Sequence, residues 1–507
     1  MITASLRAVA ILAFLACLPC VFAAAPACAG TLIRNATVFD GSGGPGVVTS
    51  VKIDGDRISA MGDIPPQPDD RIIDAKGLVL APGFIDTHSH HEFGIDGAPA
   101  AAEAISQGIT TIVVGQDGSS PDELPLAQYF AHRQQHPVSV NIASYSGHNT
   151  LREKVMGLAE REASDEEIGK MQLLLKADMD AGALGLSTGL EYDPGIYSST
   201  REVLALARIA ASAGGRYASH LRSEDRHFWE ALEELLTIGE QAKLPVQVSH
   251  IKLGSLSLWG QADKVLARLD AARRAGIDVS ADIYPYTYWQ STLTVLFPER
   301  NFDDLAAAEY ALSELTTADG MHITQFDARP EFVGKTIAEI AASRREEPAV
   351  TYLWLLRLAR EYSPEYDGQQ VVGVSMSEAD VERFITWEHS NFCSDGALND
   401  GHPRGIGSFP RILGRYVREQ NTLDLARAIH KATGLAAGHM GIRQRGQIYP
   451  GYYADLVLFD PERIIDRATI EKPGLASAGI STVWVNGVAV YLDDAATGAP
   501  AGVIIRR

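Results

Sequence analysis

Residues 83–90 read GFIDTHSH. An apolar start, Phe84 and Ile85, ends in a polar cluster, the pattern of a buried strand reaching an open rim. His88 and His90 flank Ser89, and the two-residue period of a strand sends both imidazoles to one face, converging on one point. His91 then points the other way, as a supporting or structural residue. By itself a His-x-His pair is a weak sign of metal binding. It gains weight from the histidines and carboxylates at later strand ends.

Moving outward, short β-branched runs alternate with helical stretches: GITTIVVGQDG (108–118), VSVNIASYSGHNT (138–150), GALGLSTGLEY (182–192), RYASHLRSE (216–224), LPVQVSHIKLG (244–254), GIDVSADIYPY (276–286) and SNFCSDGA (390–397). This alternation predicts βαβ units and a parallel sheet. The polar residues closing these runs act as a ruler: His88, Asp117, His148, Glu191, His220, His250, Asp282 and Asp395. Their successive gaps are 29, 31, 43, 29, 30, 32 and 113 residues, and six of them fit one βα unit each. Eight strands with polar C-terminal ends match an α/β (β/α)8 barrel, whose active sites occupy that face. The long gap exceeds one unit by about 80 residues, which places an inserted subdomain at 298–388. Its helical runs, LAAAEYALSEL, KTIAEIAASRR and YLWLLRLAREY, serve either as a lid over the site or as inert packing.

Flanking segments read differently. Residues 30–82 alternate in the β manner with Gly-rich turns, and so do 436–507, which hold GQIYPGYYADLVLFD and STVWVNGVAVYLD. The two ends are expected to complete one small β-sandwich around a barrel spanning 83–435. The first 29 residues carry one charge, Arg7, then an apolar run from Ala8 to Ala24 and an Ala27-Cys28-Ala29 site. They read as a secretory signal peptide. A retained anchor and a lipoprotein attached at Cys28 are the alternatives, the second disfavoured by Ala25 where Leu is usual. Removal would also remove Cys17, Cys20 and Cys28, leaving Cys393 as the sole thiol and no internal disulfide. The expected location is therefore secreted, in the periplasm, with no membrane association after processing. A net charge of −20 disfavours a general binder of nucleic-acid backbones.

Four histidines and an aspartate at strand ends suit Zn²⁺, since imidazole and carboxylate are its usual ligands. One hydrogen-bonded core histidine would be ordinary, but four at corresponding strand ends are not. Cys393 lies two residues before Asp395 and reads as a small buried hydrophobe.

The chain resembles the amidohydrolase superfamily, and within it the N-acyl-D-amino-acid deacylase (D-aminoacylase) family. The resemblance rests on APGFIDTHSHHE, GITTIVVGQDG, GHNTLR, GALGLSTGLEYDPG, ASHLRSE, VSHIKLG, CSDGALNDGHPRGIGSFPRILGRYV and GQIYPGYYADLVLFD, which together run over nearly all of the chain after residue 29. It implies that His220 and His250 hold a tightly bound zinc, that His88 and His90 hold a second metal, and that Asp395 is the general base and acid. It implies one or two Zn²⁺ ions and a small-molecule N-acyl amino acid or dipeptide as substrate. Arg404 aligns with the arginine that grips the substrate carboxylate, Tyr192 is an oxyanion candidate, and Lys252 and His148 are further substrate contacts. Lys252 and Arg404 could each be merely solvated loop residues.

One motif departs from the family. A bridging cysteine is expected after the second strand, where this chain has Asp117 in VVGQDG. Glu191 is the first choice to supply the bridging carboxylate instead, with Asp117 second. A cyclic-amide hydrolase of the hydantoinase or dihydroorotase kind is the alternative enzyme. It is disfavoured because GLSTGLEY offers no lysine for carboxylation. Deaminases are disfavoured because Glu224 follows His220 by four residues, where they place a glutamate at three. A non-catalytic secreted binding protein would have lost ligands, and none is missing.

Overall fold

A computed structural model describes residues 30–121, 125–364, 366 and 368–507. The signal-peptide reading of 1–29 falls outside these described residues.

Eight parallel strands carry the functional face: β1 (Phe84–Asp86), β2 (Ile109–Val114), β3 (Asn141–Ser144), β4 (Gly185–Gly189), β5 (Arg216–His220), β6 (Val246–Val248), β7 (Val279–Ile283) and β8 (Ser390–Phe392). Each is fully or almost fully buried, as strands covered on both faces are. β1, β2 and β3 form one sheet, and β4 to β8 form another in chain order. A two-residue strand, Ser146–Gly147, just past β3, pairs parallel with β4. At the opposite margin, His90 and Ala397 make a parallel bridge, and the Asp395 amide donates to the His88 carbonyl at 2.9 Å. The chain segments beyond β8 and β1 therefore run side by side, which brings Asp395 next to His88 and His90.

Helices fill the intervals between these strands. The longest, Asp165–Ala181, opens on a capping box in which Ser164 and Glu167 satisfy each other's backbone amides. Its apolar face, with Met171, Leu175 and Met179, joins a core continuous with β2, β4 and β6.

Both chain ends meet in a single nine-stranded sheet. The joint is direct: Val457 lies opposite Ala81 and Leu458 opposite Leu80 in antiparallel register. A separate core of Ile33, Val51, Ile58, Leu80, Leu456 and Trp484 belongs to this sheet.

The stretch between β7 and β8, where the insertion is expected, contains a sheet that begins at Tyr288 and that the helical runs did not reveal. Strands Tyr288–Ser291, Gln369–Val374 and Met321–Phe326 pair antiparallel, with 369–374 in the middle. The expected helices are present at Leu305–Tyr310, Ile337–Arg344 and Pro348–Tyr362. Leu293, Phe297, Leu315, Ile323, Tyr352 and Leu355 give this unit its own core.

Candidate metal centre and substrate pocket

A cavity of about 340 Å³ opens at the C-terminal ends of the parallel strands, and His90, Asp117, Glu191, Tyr192, His220, Glu224, His250, Lys252, Asp395 and Arg404 all line it. His88 lies just beneath, its ring fully buried.

Asp117 is the hub. Its Oδ1 is 3.4 Å from His88 Nε2 and 3.3 Å from His250 Nε2, and its Oδ2 is 3.4 Å from His90 Nε2. Asp395 closes one side, with Oδ1 3.5 Å from His88 Nε2 and 3.4 Å from His90 Nε2. His220 closes the other, its Nδ1 3.1 Å from His250 Nε2. Donor atoms of His88, His90, Asp117 and Asp395 lie within 4.8 Å of one another, as do those of Asp117, His220 and His250. Asp117 thus belongs to two adjoining ligand groups.

Glu191 sits elsewhere than its expected bridging place. It accepts from the far nitrogen of His220, Nε2, at 2.9 Å. A carboxylate on the outer nitrogen fixes the imidazole's tautomer and aim. Glu191, His220 and Glu224 also form a third close group, reached only through that outer nitrogen. The physical reason is backbone geometry: Asp117 has φ of 51°, a left-handed turn that Asp tolerates, and this turn aims its carboxylate between the histidines. His250 (φ 35°) and Asp395 (φ 51°) share that conformation. Three pocket residues in sparsely populated backbone conformations are what a functional site held by its surroundings displays.

The donor set fits a metal. Both ring nitrogens of His88 are buried without a hydrogen-bond partner, an arrangement costly in a site closed to water unless a cation takes one lone pair. Asp282, 3.9 Å from His88 Nδ1, stands behind that ring. Burial works against charge on Asp117, yet His88 and His250 hold its carboxyl well below the usual range. Burial likewise opposes charge on Asp395, and Arg404, His250, His90 and His88 overcome it, so Asp395 is a carboxylate.

Arg404 donates to Asp395 Oδ2, lies over the Tyr284 ring at 4.9 Å, and keeps a buried Nε with no partner. Tyr192 packs on His220, centroids 4.4 Å apart. Burial and then the surrounding carboxylates push its phenol well above 10, so it remains protonated. Lys252 lies 2.7 Å from both Glu224 oxygens and 2.7 Å from His250 Nδ1. Glu224 also approaches His250 Nδ1 at 3.1 Å. Sequence reading used Glu224 only to disfavour deaminases. Its position four residues past His220, in the loop that follows β5, was the available signal.

His148 does not reach the cavity, contrary to expectation. It is the first residue of the helix His148–Met156 rather than a strand end, and its ring turns outward to Glu202 at 2.8 Å, where Arg152 also donates. His91 is structural, as its opposite facing implied: Nε2 is 2.9 Å from the Gly405 carbonyl, and burial lowers its pKa to about 4. Cys393 is fully buried, and its thiol is pushed up by burial and by Asp282 and Asp395.

Known proteins share this architecture. The amidohydrolase family model matches residues 71–348 and 391–491. The chain is 38% identical to N-acyl-D-glutamate deacylase of Alcaligenes xylosoxydans xylosoxydans, covering 94% of this chain and 96% of that one. It is 36% identical to D-aminoacylase of the same organism, covering 94% and 97%. The crystal structure of N-acyl-D-glutamate deacylase from Bordetella bronchiseptica, with zinc and a phosphonate mimic of the tetrahedral intermediate, superposes with a TM-score of 0.84 at 33% identity, covering 94% and 99%. This chain belongs to the amidohydrolase family, in its N-acyl-D-amino-acid deacylase (D-aminoacylase) branch.

Proposed function

We propose that this protein is a zinc-dependent hydrolase of the amide bond in N-acyl-D-amino acids, D-containing dipeptides included, releasing a carboxylic acid and a D-amino acid. The observation that carries this is the Asp117-centred cluster of His88, His90, His220, His250 and Asp395 beside Arg404, in a chain related over nearly its whole length to D-amino-acid deacylases. A cyclic-amide hydrolase is less well supported, since β4 and the loop after it carry no lysine.

We read the eight parallel strands as a closed (β/α)8 barrel, the nine-stranded sheet as a small β-sandwich, and the insertion as a lid whose inner wall borders the pocket. His220, His250 and Asp117 would hold one zinc, and His88, His90, Asp117 and Asp395 a second. Zinc there supplies Lewis-acid polarisation of an amide carbonyl and acidifies a neighbouring water.

The chain's own groups do the rest. Asp395, ionised and fixed by Arg404, accepts the proton of the attacking water and delivers it to the leaving nitrogen. Protonated Tyr192 donates to the oxyanion that develops at the carbonyl oxygen. Arg404 anchors the substrate's α-carboxylate through its planar donor fork. Lys252, positioned by Glu224, is a second contact to the carboxylate or carbonyl. Glu191 aims His220.

The deciding experiment assays purified protein on N-acetyl-D- and N-acetyl-L-amino acids, with zinc and after chelation. Amine release from the D series alone, abolished by chelation and lowered about 100-fold or more by Asp395→Asn, is the expected result. Cleavage confined to the L series would sink the stereochemical reading. Export is a separate proposal, resting on the first 29 residues, and N-terminal sequencing of the exported protein should begin at Gly30. Among the described residues, no helix is long and apolar enough to cross a membrane.

A further inference from the structure

The deacylase reading leaves the D-amino acid's side chain undefined, and the pocket's charges and walls address it. Among the described lining residues, two carry an ammonium or guanidinium group, Lys252 and Arg404, against seven carboxylates. Neither cation is spare. Both Glu224 oxygens lie 2.7 Å from Lys252 Nζ. Arg404 is tied to Asp395, and what remains of its donor fork is needed for the α-carboxylate. The positive charge of zinc would be held by the histidines and Asp117, not free to pair with a side chain.

The insertion lends this lining an uncharged wall, half of it apolar and half neutral polar, the latter being Gln290, Ser291, Thr292 and Gln370. Trp289, Val295, Leu296 and Leu315 come from the insertion, and Phe93 from the loop after β1. Val295, Leu296 and Leu315 are nearly buried in the insertion's own core, so the wall is backed by packed residues. The amide of Gln290 at its edge is engaged with Gln370 at 2.7 Å. A second carboxylate on the substrate would leave water and meet apolar or neutral polar side chains or like charge, with no cation to compensate it. This holds whichever way the side chain and acyl group share the space, because no part of the described lining offers a free positive group.

Resting on the deacylase reading, we propose that this pocket selects N-acyl-D-amino acids with uncharged, chiefly apolar side chains and rejects N-acyl-D-aspartate and N-acyl-D-glutamate. The apolar wall from Trp289, Val295, Leu296 and Leu315 is the specificity element.

The test measures kcat/KM of the zinc-loaded enzyme on the N-acetyl derivatives of D-leucine, D-methionine, D-glutamine, D-glutamate and D-aspartate. D-Leucine and D-methionine should exceed both acidic substrates by about 100-fold. D-Glutamine, nearly isosteric with D-glutamate, should exceed it as well, which isolates charge from size. An acidic substrate within tenfold of D-leucine, or D-glutamate at or above D-glutamine, overturns the proposal. Absence of turnover across the whole D panel, with zinc bound, overturns instead the deacylase reading beneath it. Leu296→Arg, placing a cation in the wall, should narrow the leucine-to-glutamate ratio by about tenfold. An unchanged ratio in a folded Leu296→Arg variant overturns the assignment of this wall to the side chain. Should that variant not fold, the wild-type panel still decides.

Discussion

Asp117 and Glu191 show what one residue's setting decides. Both follow buried parallel strands, β2 and β4, and both carry a carboxylate suited to zinc. Sequence reading put Glu191 first and Asp117 second, because spacing fixes the strand but not the turn after it. The left-handed backbone at Asp117 directs its oxygens among three imidazoles, while Glu191 meets only the outer nitrogen of His220. Asp117→Ala should therefore lose bound zinc and activity together. Glu191→Gln should still bind zinc, with affinity lowered by about 10–100-fold, the usual range for a supporting partner. Metal analysis after dialysis, with activity alongside, checks both. Zinc retained by Asp117→Ala and lost by Glu191→Gln would reverse the assignment. The histidines were legible from sequence because a strand's period fixes which face they take. Which carboxylate stands among them was not, because that depends on the positive φ at Asp117.

At the scale of elements, the strand-end ruler located the β-strands but misplaced one residue. His148 stands where a strand end was expected, yet a helix begins there and turns its ring away from the cavity. Its actual role is to join two helices. With Arg152 it surrounds Glu202, all three fully or nearly fully buried, which ties His148–Met156 to Thr200–Ser212. Removing Arg152 leaves a buried carboxylate short of its partner, so Arg152→Ala should cost about 3–5 kcal/mol. Burial raises the pKa of Glu202, but His148 and Arg152 outweigh it and hold the pKa low. The unfolded chain thus binds a proton that the folded chain resists. This contribution is present above the ordinary glutamate pKa near ~4.3 and fades as pH falls below it. Denaturant titrations from pH 7 to 3 should show a shallower acid loss in Arg152→Ala than in wild type. Parallel curves would contradict this linkage. The insertion's three strands escaped sequence reading for another reason: they pair antiparallel across intervening helices, so no local repeat announces them.

In the molecule as a whole, distant segments of chain are stitched together. Residues 502–507 return to the edge of the parallel sheet. The Gly502 amide donates to Val138 at 2.8 Å, Ile142 to Val503 at 3.0 Å, and Ile505 to Ile142 at 2.8 Å. Arg507 adds side-chain bonds to the carbonyls of Met179 and Ala183. At about 1 kcal/mol per backbone bond, deleting residues 499–507 should lower stability by about 3–5 kcal/mol. The cavity lies at the other end of these strands, so kcat of the folded truncated protein should stay within about twofold of wild type. Calorimetry and steady-state kinetics on one preparation separate the two effects. A large fall in kcat with stability intact would refute the division.

Asp117, standing where the sequence resemblance leads one to expect a cysteine, also bears on chemical durability. Nitrogen and oxygen donors are not consumed by peroxides as a thiolate is. Cys393, the sole cysteine among the described residues, is sealed from solvent with its thiol kept protonated. Peroxide or an alkylating reagent should therefore leave zinc content and activity unchanged over minutes in the native enzyme, while Asp117→Cys should become sensitive. An enzyme so built can work where oxidants circulate, without depending on a reductant to keep its centre intact.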